Sequence, residues 1–258
     1  MMDIFDFVAQ FQDIGAEMAW RFWLVFLRCG TAMALLPAFG EQAIPQRIKL
    51  VIAIAFTLIV APAAGPMPSP QAAPLADMGA EVVVGLALGM ALRLMVLALQ
   101  VAGSIAANAT SLSQLFGGSG PEPQPAISNL LVMAGLALAL AAGLHVQLSQ
   151  ALIQSYIAFA AGTLPQASDM ADWGVGHIAS AFSLAFVLAA PFTIAAFLYN
   201  VALGVINRSL PALMVSFIGA PALAGGGLVL IAVVAPIMLA IWVAKFQTVL
   251  AAPFAVAP

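Results

Sequence analysis

Between Leu198 and Pro221 the chain reads LYNVALGVINRSLPALMVSFIGAP, an apolar stretch that nonetheless carries Arg208 between Asn207 and Ser209. Pro211 and Pro221 each remove a backbone donor, and Gly204 and Gly219 loosen the chain where a helix would otherwise continue. A guanidinium in such surroundings is costly and marks function or a protein-buried partner. Irregular backbone at membrane depth survives only where protein or a water-filled path satisfies the freed polar groups. This stretch is therefore expected to be a polar break in a membrane-embedded segment, covered by other protein.

The rest of the chain makes membrane embedding the default. Of 258 residues, 64% are hydrophobic and 7% charged, against about 25% charged in soluble domains. The fold class expected is all-α: a polytopic membrane protein of about six apolar helical segments interrupted by Pro and Gly. The net charge of −3 leaves no basic surface for nucleic acid. Cys29 is the one cysteine, and its place in an apolar run reads as a small buried hydrophobe. No signal peptide is expected, because Asp3, Asp6, Asp13 and Glu17 stand where a basic segment would be.

In chain order, residues 1–19 space Phe5, Val8, Phe11 and Ile14 helically among the acids, which predicts a short amphipathic helix or an extension of the first span. Trp20–Leu36 follows. Arg21 and Arg28 share a face, and Arg28 lies too deep to reach water without a partner. Pro37 and Pro45 bound a turn, and Arg47 and Lys49 open the next run. Five prolines then make residues 61–75 a stiff loop. The run Met78–Ala107 is longer than a bilayer requires. It holds Glu81 near its start, where a helix N-terminus favours an anion, and Arg93 near its middle. Gly85 and Gly89 stand four apart, a spacing that lets another helix approach closely.

Residues 108–129 form a long loop, and long loops of irregular structure are usually functional or disordered. In it Gln114, Leu115, Phe116, Gly117 and Gly118 lead into Pro121, Glu122, Pro123 and Pro125, a composition suited to a compact apolar plug. Gly117-Gly118-Ser119-Gly120 lacks the lysine of a phosphate loop. Beyond Leu130–Leu144 comes a polar stripe from His145 to Tyr156. His145 reads as a hydrogen-bonded structural residue, having no Cys, Asp or Glu beside it. A loop over 162–174 is expected, then a run from Ile178 to Tyr199 kinked at Pro191. After the broken stretch, Gly225-Gly226-Gly227 precedes a last run, Leu228–Val243. The basic residues sit in the first turn and not in the acidic N-terminal region or the 61–77 and 162–174 loops, which favours an N-out arrangement. No metalloprotease, serine-hydrolase, Walker or CxxC pattern is present, and neither a cofactor nor an enzymatic activity is expected.

Several blocks, in order along nearly the whole chain, resemble the FliR/SpaR/SctT family of type III export-gate proteins. They are Arg28 with Pro37-Ala38-Phe39-Gly40, Pro45 and Arg47; Glu81 with Gly85, Gly89 and Gly103; Gly143-Leu144-His145 leading to Ser155-Tyr156 and Pro165; and Pro191, Ala202-Leu203-Gly204, Arg208, Pro211, Gly219 and Pro221. The chain departs from the family pattern at Asn200, at Ala212-Leu213-Met214 and at Pro121-Glu122-Pro123. The resemblance implies a structural subunit of the inner-membrane gate for flagellar proteins. It implies assembly with FliP-like and FliQ-like subunits and an FlhB-like switch protein. It also implies a FliP-like part over 1–170, a FliQ-like hairpin over 171–258, and pore closure by Gln114–Pro125. Arg28, Arg47, Glu81, Arg93, His145, Asn200, Arg208 and Pro211 are the expected polar and assembly positions, and Gly85, Gly89 and Gly204 the expected packing positions. The other reading of the residues is a small-anion secondary transporter with its site at Arg208, although no inverted repeat is visible.

Overall fold

The computed structural model describes residues 4–36, 44–69, 73–110, 126–209 and 215–255. Among them are seven α-helices, one 3₁₀ turn and no strand. The helices are α1 (Ile4–Leu35), α2 (Gln46–Val60), α3 (Pro74–Ala109), α4 (Ala126–Ala141), α5 (Leu144–Ala158), α6 (Ala167–Ser209) and α7 (Val215–Ala251). The 3₁₀ turn, Ala61–Ala63, closes α2. The protein is thus all-α and built to sit in a membrane. Four stretches are long and apolar enough to cross one, in α2, α3, α6 and α7, and a fifth if the α4–α5 pair counts as one broken span.

The chain gathers into two compact units. The first comprises Met1–Arg93, Gly143–His177 and Thr248–Pro258; the second comprises Leu94–Ala142 and Ile178–Gln247. In the first, Leu24, Val25 and Met33 of α1, Val84, Leu88 and Leu92 of α3, and Leu148 and Leu152 of α5 are all buried. Trp173 of α6 packs there on Ala87 and Ala91 with Met170, Val249 and Phe254, and its indole donates to the Pro253 carbonyl at 3.0 Å. In the second unit, Trp242 of α7 is fully buried and donates to the Met95 carbonyl at 2.7 Å. Gly135 of α4 makes room for it: a Cβ at that glycine would lie 3.2 Å from the indole ring.

Several elements differ from the expectation, each for a physical reason. Residues 4–35 form one helix, the extension reading and not a separate surface helix; a lone Gly15 costs about 1 kcal/mol relative to Ala and does not stop it. α6 begins at Ala167, inside the expected 162–174 loop, with Asp169 in its first turn where the helix dipole favours an anion. Pro191 lies inside this helix. α7 likewise runs through Pro221, Gly225-Gly226-Gly227 and Pro236. In apolar surroundings an unsatisfied peptide group costs several kcal/mol, so the helix persists across residues that would end it in water. Gly227 has its own use, since a Cβ there would lie 2.5 Å from the Thr110 side chain. The expected run Leu130–Leu144 instead breaks before its end. Gly143 adopts φ +85°, a left-handed conformation that L side chains avoid, so α4 ends at Ala141 and α5 starts afresh at Leu144.

Candidate functional site

The most ordered polar constellation lies within the first unit. Arg28 sits about two turns before the end of α1 and Glu81 two turns into α3, both at 0% exposure. They meet side by side: Arg28 Nε donates to Glu81 Oε2 at 2.7 Å and Arg28 Nη2 to Glu81 Oε1 at 3.0 Å. α5 and the turn after it complete the cage. Arg28 Nη1 donates to Ser155 Oγ at 3.1 Å, and Nη1 and Nη2 both donate to the Phe159 carbonyl at 3.2 Å. The Tyr156 hydroxyl donates to Glu81 Oε2 and the Gly162 N–H to Glu81 Oε1, each at 3.0 Å. The Tyr156 ring lies beneath the guanidinium, 3.6 Å from its carbon to the ring centre.

Every N–H of the guanidinium is therefore used, and the carboxylate accepts four bonds, its full complement. A buried ion pair is tolerable only when its remaining valences are filled in this way. Such a site has no spare donor or acceptor with which to hold a substrate. Its work is mechanical: it ties α1, α3, α5 and the 159–162 turn to one point.

Backbone shape delivers the partners. Phe159 ends α5 in an extended conformation, turning its carbonyl from the helix ladder towards Arg28. Gly162 has φ +72°, which aims its N–H at Glu81, and a Cβ there would lie 2.7 Å from Asp77 Oδ1 and 3.0 Å from Pro68. Asp77 itself is buried, and its Oδ2 has no hydrogen-bond partner among the described residues. The α1–α3 approach is closed by two glycines. A Cβ on Gly85 would collide with Thr31 Oγ1 and the Arg28 carbonyl, and one on Gly89 would lie 2.6 Å from the Ala32 carbonyl. Nearby, Arg21 donates to the Ala61 carbonyl at the end of α2 and Trp20 to the Pro68 carbonyl, both at 3.1 Å, so Arg21 serves as a clasp.

The other singled-out residues lie elsewhere. Arg47 at the start of α2, His145 at the start of α5, and Asn200 and Arg208 late in α6 are exposed on this chain. Arg93 is half-buried on α3, and Gly204 has open space beside it. Pro211 and the whole stretch Gln114–Pro125 lie outside the described residues. Sequence reasoning missed the roles of Ser155, Tyr156, Phe159 and Gly162. A second missed contact joins α6 to α7 in the second unit, where the Tyr199 hydroxyl donates to the Gly219 carbonyl at 2.6 Å. Among the described residues no group of His, Cys, Asp and Glu could hold a metal ion.

Among the described residues the chain is all-helical and apolar, with a buried and fully bonded Arg–Glu pair: the class it defines is a helical membrane protein. The family comparison agrees: the chain belongs to the bacterial export proteins, the family described as Bacterial export proteins, family 1, which matches residues 19–249. Over 233 residues it is 34% identical to the flagellar biosynthetic protein FliR of Caulobacter vibrioides, an alignment that covers 88% of this chain and 93% of that protein.

Proposed function

We propose that this chain is the FliR-like structural subunit of a flagellar type III export gate in the bacterial inner membrane. The observation that carries the reading is the extent of the match to FliR, which takes in almost the whole of both chains. In this reading it assembles with FliP-like and FliQ-like subunits and meets an FlhB-like protein. Together they form the pore for exported flagellar proteins, and this chain performs no catalysis itself. The buried, fully bonded Arg28–Glu81 pair supports a structural role. So does the apolar exterior of α6 and α7, where Phe186, Phe197, Val229 and Val233 are all more than half exposed and await lipid or sister chains.

The FliQ-like part is assigned to 171–258, which α6 and α7 dominate. The Tyr199–Gly219 bond draws the end of α6 to the start of α7, as a helical hairpin requires. The FliP-like part is assigned to 1–170, and the segment that closes the pore to Gln114–Pro125. Arg47, His145, Asn200 and Arg208 are assigned to contacts between subunits, consistent with their exposure here.

The test is export itself. In the native host, deleting this gene is expected to abolish secretion of flagellar proteins, and the intact gene to restore it. A variant lacking residues 114–125 is expected to leave the membrane leaky to small ions, read as a fall in membrane potential. Normal secretion without the gene would refute the export reading, and an unchanged potential in the variant would refute the plug assignment.

A further inference from the structure

Between Ala80 and Leu92 most of α3 is buried. Within the first unit Val84, Ala87, Leu88, Ala91 and Leu92 are covered, and one narrow strip remains open: Val83, Leu86 and Met90, each about two-fifths exposed at 38%, 39% and 40%, and then Arg93. These positions follow helical spacing, so the strip is a continuous line with a single charge on it. Arg93 makes no hydrogen bond or ion pair with any described residue, in contrast to Arg28. It stands roughly 24 Å or more from either end of α3 at 1.5 Å per residue, well beyond the reach of its side chain. A guanidinium cannot shed its proton and is the cation least suited to remaining alone on an apolar helix face.

We infer that the strip Val83–Leu86–Met90–Arg93 is an interface to a helix of a different chain, and that the helix carries an Asp or Glu facing Arg93. The inference rests on the export-gate reading above and adds to it the chemistry of one contact. The described acidic side chains of a second copy of this chain do not offer the required acid. Among its described acidic side chains, Asp77 and Glu81 are buried, and Asp169 and Asp172 lie at the polar start of α6. Glu17 lies on a part of α1 that already carries Arg21. None of these described acids sits midway along an open apolar face, so the inference assigns the complementary charge to a chain of another kind. An apolar helix with one carboxylate would bury the strip and neutralise Arg93 with a planar, two-point pairing.

The experiment uses the whole complex, co-expressed and purified through a tag on the FliP-like subunit. Arg93→Glu is expected to reduce recovery of this chain with the complex by about tenfold or more, the scale of an uncompensated charge on an apolar face, while Arg93→Lys retains most of it. The amount of the chain in the membrane should stay constant, because Arg93 supports no internal contact. Each Asp and Glu in the apolar segments of the partner chains is then changed to Lys in the Arg93→Glu background. One such change is expected to restore recovery. Normal assembly of Arg93→Glu overturns the inference. So does loss of assembly that no partner change restores. If the unaltered chain fails to co-purify at all, it is the export-gate reading that fails.

Discussion

Replacing Glu81 with methionine is expected to be among the most destabilising single changes in the first unit. The substitution leaves Arg28 fully buried, with only Ser155 Oγ, the Phe159 carbonyl and the Tyr156 ring to receive it. Stranding one partner of a buried pair costs about 3–5 kcal/mol, a large part of the stability of an ordinary domain. Arg28→Met should cost less. The stranded carboxylate keeps the Tyr156 hydroxyl and the Gly162 N–H and can be neutralised by a proton, whereas a guanidinium cannot. The double variant Arg28→Met/Glu81→Met removes both charges and should regain stability relative to Glu81→Met alone. Chain abundance in membranes and the thermal midpoint of the extracted complex read all three variants. The expected order is wild type, double variant, Arg28→Met, Glu81→Met. If the double variant were the least stable, the pair would contribute more than its own neutralisation, and this account of it would be wrong.

Gly85→Val is the second severe change. At this position even one added carbon meets the Arg28 carbonyl and Thr31 Oγ1, and the carbonyl is backbone that cannot swing aside. α1 and α3 would have to separate, pulling Arg28 away from Glu81. Overpacking by itself costs about 1–3 kcal/mol, and the disrupted pair adds to it. The expected result is a chain nearly absent from membranes, comparable to Glu81→Met. Gly204→Val is the control: nothing lies within 4 Å of a Cβ there, so the isolated chain should tolerate it. Equal abundance for Gly85→Val and wild type would show that the helices do not approach as described.

How far the sequence reveals this arrangement depends on which atoms carry it. The helical class followed from the apolar content, because a chain this poor in charge can satisfy its peptide groups only internally. Gly85 and Gly89 were visible as a packing pair, since their spacing alone places them on one face. Arg28 was recognisable as a cation in need of a partner. Its partner was not: Glu81 is 53 residues away, and its position near a helix start offered the dipole as a sufficient reason for an acid. The remaining ligands are harder still, because the Phe159 carbonyl and the Gly162 N–H are backbone groups that leave no side-chain signature. The prolines and glycines of α7 misled for a different reason. Breaker rules are calibrated in water, where a freed peptide group finds a new partner at little cost.

The central claim is that this chain functions only as one member of a multi-chain gate. Native mass spectrometry of the complex purified through a tag on this chain tests it most directly. The account predicts a single copy of this chain bound to several copies each of the FliP-like and FliQ-like subunits. Recovery of the chain solely as a stable monomer or homodimer, with the other subunits present in the same membranes, would contradict it.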